Sequence, residues 1–307
     1  MQGRLALLFF SCFAVLFITE IVSRFLDIGD PPVFKADPNY GYLMEPDQSV
    51  STRGIRFRIN RAGFRGPDLF SPKPAGEYRI ALLGDSLTYG GGAIADNELF
   101  TNRVASTLRV AMHRQIETSN ISAPGWGIEN IAAYVETRSL RETDLLVWVI
   151  PAADFRRPKT SLEDYGFPTR KPWTRVSYLL SGLIVRAKGR VQDSLLKSPP
   201  DAGDDHPIRD RNVHVLTRVL TEFTAAGGRA VVVFVPSGQP TTTERDDLVV
   251  YHAAAESIAV PWIDVGPLMA RYRSQEMFLD GVHLTSQGHA VVADEIAKFV
   301  VEDAGRH

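Results

Sequence analysis

Ser86 stands in Gly84-Asp85-Ser86-Leu87, directly behind the apolar run Ile80-Ala81-Leu82-Leu83. A run of that length closed by a small-residue turn predicts a buried parallel strand. A serine at its carboxyl end lies where open α/β sheets place reactive groups. At the entrance to the next helix it also has backbone N–H groups without helical partners, suited to a developing oxyanion. Serine needs a base, and the base needs a group to orient it. Phe278-Leu279-Asp280-Gly281-Val282-His283-Leu284 offers both. An acid three residues ahead of a histidine, across a glycine-containing turn, can hold the ring and fix its tautomer. Ser86 is thus the candidate nucleophile rather than a plain helix N-cap, His283 the candidate base and Asp280 the candidate orienting acid.

The Gly-x-Ser-x-Gly elbow of the α/β-hydrolases is absent, because Gly84-Asp85-Ser86-Leu87-Thr88 is spaced differently. The combination resembles instead the SGNH, or GDSL, hydrolase family of esterases and lipases. Gly84-Asp85-Ser86-Leu87 matches the block that names the family and Asp280-x-x-His283 its last block, a likeness spanning roughly residues 76 to 304. The resemblance implies a three-layer, flavodoxin-like α/β fold and ester chemistry by a Ser-His-Asp triad. It also implies an oxyanion hole from the Ser86 N–H and a glycine N–H in Ala123-Pro124-Gly125-Trp126-Gly127, where Gly125 fits better than Gly127. The family further expects Gly-x-Asn-Asp after the third strand, with the asparagine as a third donor. Here the chain reads Pro151-Ala152-Ala153-Asp154, so alanine stands in the asparagine's place. Loss of one such donor costs about 10²–10³ in rate where measured. Asp154 is expected to be structural, since an anion would repel the oxyanion. Asp85, Tyr89 and Trp126 are candidates for the substrate cleft. Asp85 is also expected to hold the turn through backbone hydrogen bonds, and Trp126 alternatively to cover the core.

Alternating apolar strands and amphipathic helices position these residues. Strands are expected at 80–83, 116–122, 144–150, 230–235 and 260–265, and helices at 98–112, 128–140, 213–225, 248–258 and 287–301. Five strands joined by helices imply one parallel sheet with right-handed crossovers. Gly90-Gly91-Gly92 reads as a flexible rim, since no Lys-Ser/Thr follows it as in a phosphate loop. His289 reads as part of a face of the last helix. Residues 27–75, carrying Pro31, Pro32, Pro38, Pro46, Pro67, Pro72 and Pro74, read as a loop-rich juxtamembrane collar with one short strand over Ser51 to Asn60. Its Asn60-x-x-Gly63-Phe64-Arg65 segment is similar to one that precedes the serine block in membrane-anchored SGNH proteins, and reads mechanically as a structural turn. Residues 155–209 form a variable insertion, basic and aromatic at first, expected to pack over the sheet with its charges solvated or to meet a bilayer or an acidic substrate. Within it, 198–207 reads as a flexible linker.

The chain begins with an apolar stretch from Leu5 to Ile18, extended by Thr19 to Leu26. No small-residue cleavage site follows, and Glu20 falls where one should be neutral, so 1–26 is expected to be an uncleaved signal anchor, with a cleaved signal peptide as the alternative. Arg4 is the positive inner flank, placing the rest outside the cytoplasm: a single-pass inner-membrane protein with a periplasmic domain, or a secreted one if cleaved. A net charge of −2 gives no reason to expect nucleic acid as a partner. The lone Cys12 excludes an internal disulfide. No metal-ligand spacing and no cofactor loop is present, so no cofactor is expected. The resemblance implies a serine esterase acting on acyl groups, and, because exported, anchored members of the family often remove or add acyl groups on glycans, it favours O-acetyl esters of carbohydrate. An O-acyltransferase, a catalytically weak glycan-binding protein and a lipid or thioester hydrolase are its rivals.

Overall fold

The computed structural model describes residues 2–69, 71–138, 140, 142–182 and 206–304. Its centre is a parallel sheet of five strands: β5 (Tyr78–Gly84), β6 (Ile116–Ser122), β7 (Leu145–Pro151), β8 (Arg229–Val235) and β9 (Trp262–Asp264). The spatial order is β6-β5-β7-β8-β9. The chain goes from β5 to one side and then crosses to the other, so the connections diverge at the carboxyl end of β5, where clefts form in such sheets. Strands β5 and β7 are buried along their whole length. Alternate residues serve opposite layers, as the two-residue period of a strand dictates. Ile80 and Leu82 pack with α3 (Phe100–Met112) and α8 (Ser286–Ala304), through Phe100, Val104, Leu108, Val292 and Ile296. Ala81, Leu83 and Trp148 face α4 (Ile128–Thr137) and α6 (His206–Ala225), through Ile131, Leu216 and Leu220. The helix α7 (Thr242–Ser257) completes that layer with Tyr251.

The expected elements are present, with shifts that have local causes. Strand β9 is shorter than residues 260–265 because the Val260 N–H closes the end of α7 on Ala255 O (3.1 Å) and Pro261 has no N–H. The helix α6 begins at His206 rather than at residue 213, so the expected linker loses its last two residues to a helix, and 198–205 lie outside the described residues.

Residues 27–75 depart most from expectation. In place of one strand they hold two antiparallel hairpins, β1 (Phe34–Asp37) with β2 (Gly41–Met44) and β3 (Gln48–Thr52) with β4 (Ile55–Ile59). The second turns on Arg53 and Gly54, both at positive φ (51° and 80°), the backbone of a tight two-residue hairpin turn. Phe34, Tyr40, Tyr42, Phe57 and Phe64 are buried in the same layer as Trp126 and Trp148, so the hairpins form an outer wall of the core. Residues 155–168 lie against that wall. Phe155 and Leu162 are buried, Phe167 stacks on Phe34 (4.4 Å between ring centres), and the Phe34 N–H donates to Pro168 O (2.8 Å).

At the amino terminus α1 (Gln2–Phe25) projects from the domain with its apolar side chains exposed, and near its end Glu20, Ser23 and Arg24 bond to residues 175 and 176. Its mean hydropathy of 2.5 and length suffice to cross a bilayer, a test that signal sequences also pass. Beyond Arg175, α5 (residues 175–182) is helical.

Candidate active site

Gly84 ends β5 and lets the chain fold back on itself, since a Cβ there would fall 2.0 Å from Thr88 Oγ1. Asp85 then caps the one-turn helix α2 (Ser86–Tyr89), its Oδ1 accepting from the Leu87 N–H at 2.8 Å. This is the backbone role expected of it. Ser86 is left half-buried at the helix entrance. After α2, Gly90 takes the left-handed conformation (φ 78°) and returns its N–H to Ser86 O (3.0 Å).

The following loop is not the free rim anticipated. The buried Arg65 guanidinium donates to Gly91 O (2.7 Å), Ile94 O (2.6 Å) and Tyr89 O (3.3 Å), pairs with Asp96 (2.8 Å) and lies over the Phe57 ring (4.2 Å). The Asn60–Gly66 turn therefore does more than cap the edge of the sheet: Asn60 Oδ1 accepts from the Ala62 and Phe64 N–H groups and shapes the turn that delivers Arg65.

At the other end of the chain, Phe278 and Leu284 form an isolated antiparallel bridge around a tight loop. Gly281 (φ 86°) turns it, and its carbonyl accepts from the Gly238 N–H (2.8 Å) beyond β8. Asp280 Oδ1 accepts from the Val282 and His283 N–H groups (3.1 and 2.9 Å), and Oδ2 meets His283 Nδ1 at 2.8 Å. Partial burial pushes the Asp280 carboxyl up, but those hydrogen bonds outweigh it and hold the group below its ordinary range. A carboxylate at Nδ1 assigns the ring proton to that nitrogen and turns the lone pair of Nε2 outward. Nε2 lies 3.0 Å from Ser86 Oγ. The structure thus brings Ser86, His283 and Asp280 into one hydrogen-bonded chain from opposite ends of the domain.

Beside the serine, the Ser86 and Gly125 N–H groups donate to no acceptor among the described residues. Gly127 is excluded as a donor, because its N–H is taken by Asn130 Oδ1 (3.1 Å). Gly125 sits at φ 80°, and a Cβ there would fall 2.4 Å from the Tyr165 ring. The peptide carrying its N–H is held at the other end, where Tyr42 Oη donates to Pro124 O (2.6 Å). Drawing on a carbonyl polarises the N–H of the same peptide, so Tyr42 both aims and strengthens the donor. Tyr42→Phe is expected to lower kcat about tenfold, roughly 1.4 kcal/mol, with little change in KM. Steady-state kinetics on a soluble ester checks this, and an equal change confined to KM would point to substrate binding instead.

Ala153 is exposed on a short 3₁₀ turn after β7 and supplies no side-chain donor. Asp154 points inward and is buried, as a structural residue should be. Its Oδ1 accepts from Arg157 Nε (2.7 Å), while Oδ2 has no partner. Burial, and then the nearby Asp85 charge, push its carboxyl well above the ordinary range, against the pull of Arg157. Arg157 Nη2 also faces Asp85 Oδ2 (3.6 Å), which lies 3.3 Å from Ser86 Oγ, and Nη1 donates to Tyr165 Oη (3.0 Å). Arg156 pairs with the buried Asp247 (2.6 Å). These cations of the 155–209 stretch are therefore internal counter-charges, contrary to the expected solvated face.

The three cleft candidates are corrected in the same way. Asp85 and Trp126 have no exposed surface and Tyr89 has 4%. Trp126 covers the core, its indole N–H donating to Tyr42 O (2.9 Å), and Tyr89 packs edge-on against Phe57. His289 is likewise interior: its Nδ1 accepts from the Phe100 N–H (3.3 Å), and burial, with the Arg65 and Arg103 charges, pushes its pKa down to about 3. Sequence reasoning missed Tyr42, Arg157 and Tyr165. The interleaved bases and aromatics of 156–175 were the available signal, but nothing in their spacing tells a counter-ion from a solvated charge.

The profile of the GDSL-like lipase/acylhydrolase family matches residues 80–296. No curated protein sequence matches the chain. Among solved structures, a catalytic mutant of an acetylxylan esterase from Geobacillus stearothermophilus aligns at TM-score 0.51 and 14% identity, over 72% of this chain and 93% of that one. A two-domain esterase active on acetylated mannans aligns at TM-score 0.47 and 15% identity, over 74% of this chain and 50% of that one. At 14% identity the likeness to the acetylxylan esterase is one of fold. With a family match running from the serine strand to the last helix, the chain belongs to the GDSL-like lipase/acylhydrolases and is an ester-cleaving serine hydrolase.

Proposed function

We propose that Ser86 is the nucleophile, His283 the general base and Asp280 the acid that orients it, in a membrane-anchored esterase that removes acyl groups from carbohydrate. The 3.0 Å contact between Ser86 Oγ and His283 Nε2 carries this reading. Oγ attacks the ester carbonyl as its proton passes to Nε2, and the oxyanion forms against the Ser86 and Gly125 N–H groups. The imidazolium, steadied by Asp280, then protonates the leaving alcohol. Water then attacks the acyl carbon while giving a proton to His283, and His283 passes that proton to Ser86 Oγ as the Oγ–acyl bond breaks and the acid leaves. An O-acetyl ester on a glycan is the favoured substrate, supported by the shared fold with an acetylxylan esterase. The apolar α1 behind Arg4 supports a domain held outside the cytoplasm.

Hydrolysis of p-nitrophenyl acetate and of O-acetylated xylo-oligosaccharides by the full-length protein tests this, alongside labelling by a fluorophosphonate. A folded protein that neither hydrolyses nor labels would sink it and leave glycan binding as the function. That second possibility is favoured by one feature: Ala153 leaves the oxyanion hole a donor short. Ala153→Asn is expected to raise kcat for hydrolysis about tenfold, part of the 10²–10³ that such a donor is worth where measured. An unchanged kcat in a folded variant would show that the hole is complete without it, and acyl transfer to an added sugar acceptor would identify the transferase.

A further inference from the structure

We propose that Trp173 and α5, together with the tip of the β3–β4 hairpin, form a membrane-seating surface that fixes the domain on the bilayer where α1 emerges. This rests on α1 being a retained anchor. The hydrocarbon core of a bilayer takes about 20 helical residues, which brings Glu20 to Phe25 to its outer boundary. The domain grips that last turn directly. Arg175 Nη1 donates to the last-turn carbonyls Ser23 O (2.8 Å), which also accepts from the Ile28 N–H (2.9 Å), and Arg24 O (3.3 Å). The Val176 N–H, in the first turn of α5, donates to Glu20 Oε2 (3.1 Å), and Ser23 is buried. A helix pinned one turn inside the end of α1 lies at headgroup depth.

The side chains around this joint suit that depth. Trp173 is 97% exposed, whereas Trp126 and Trp148 have no exposed surface. Phe25 and Leu180 are also open, at 86% and 49%. An indole left bare in water costs free energy, while the headgroup region accepts its apolar ring and its N–H together. The hairpin tip reaches the same level: the Gly54 N–H donates to Asp27 O (3.1 Å), and Arg56 pairs with Asp27 (2.7 Å) while its side chain stays 72% exposed. Exposed Arg24, near the end of α1, and Arg56, on the β3–β4 hairpin, give lipid phosphates cations to meet. The occupant of this surface is the bilayer into which α1 inserts, so the active-site domain is seated on the lipid rather than swinging on a tether.

Full-length protein and Trp173→Phe, reconstituted in vesicles of phosphatidylcholine with or without brominated acyl chains, test this by tryptophan emission. Trp173 is 97% exposed, so the substitution removes no core packing among the described residues. The expected result is bromolipid quenching of the wild type, most of which is lost in Trp173→Phe, with Trp173 emission protected from aqueous iodide. Trp173 emission quenched by iodide and not by bromolipid, in protein that floats with the vesicles and whose Cys12 resists a water-soluble maleimide, overturns the seating and leaves the anchor standing. Protection from both quenchers overturns it in favour of a protein contact. Failure to float, with Cys12 labelled, overturns the anchor and the seating together.

Discussion

Ser86→Ala and His283→Ala are each expected to lower kcat for ester hydrolysis by about 10⁴-fold or more, because nucleophile and base act as one unit. The hydroxyl and the imidazole share a single 3.0 Å hydrogen bond, and losing either end removes the proton path for both chemical steps. Fluorophosphonate labelling should vanish in the first variant and slow sharply in the second. Asp280→Asn should cost less than either. An amide cannot stabilise the imidazolium and can hold the wrong tautomer, an effect worth about 10⁴ in a buried triad. The Asp280 side chain, however, is 57% exposed, so water can share its task. The expected order is therefore Ser86 and His283 together, then Asp280, each with KM close to wild type. Residual hydrolysis should reflect the Ser86 and Gly125 N–H groups alone. A Ser86→Ala protein that still turns over acetyl ester at the wild-type rate would move the nucleophile elsewhere.

The strands around this site were legible because a parallel strand covered on both faces is almost wholly apolar. Ile80–Leu83, Leu145–Ile150 and Ala230–Val235 stand out from any surface segment. The serine and histidine turns were legible because glycine and aspartate mark tight backbone geometry, at Gly84-Asp85 and Asp280-Gly281. The hairpins of residues 27–75 were not, since their four- and five-residue strands are too short for period to declare itself, and the Arg53-Gly54 turn lacks the usual asparagine. Nor could the sequence show that Tyr42 reaches Pro124 or that Arg65 reaches Gly91, contacts made by packing between distant segments. The Pro124–Gly125 peptide proposed for the oxyanion hole and the loop behind the serine are thus held from a region whose prolines read as a mere collar.

Arg157→Ala should destabilise the protein by about 3 kcal/mol near neutral pH and on the order of 5–10 °C in Tm, with a loss that shrinks on acidification. The guanidinium is the counter-charge of two carboxyls in the interior, Asp154 at 2.7 Å and Asp85 at 3.6 Å, and removing one partner leaves the other charge unpaired. Its own side chain is 21% exposed, which sets the cost at the lower end for a buried pair. The pH dependence follows from the direction of the carboxyl shifts. Burial raises both groups in the folded state, so folding takes up protons. Their contribution is fully present below the unfolded value of about 3.9 and is lost as pH rises through the folded values. Without Arg157 both folded values climb further, so the variant should lose more stability than wild type between pH 5 and pH 8 and approach it at the acid end. Thermal melts across that range measure the difference. Asp154→Asn on the Arg157→Ala background should recover much of the loss, because the amide keeps the shape of the side chain and removes the orphaned charge. A pH-independent deficit, unchanged by the second substitution, would instead assign Arg157 to packing against Gly127 and Tyr165. Activity should also fall in the single variant at pH values where Asp85 is ionised, since its charge would then stand uncompensated 3.3 Å from Ser86 Oγ, close to the oxyanion that forms against the Ser86 N–H.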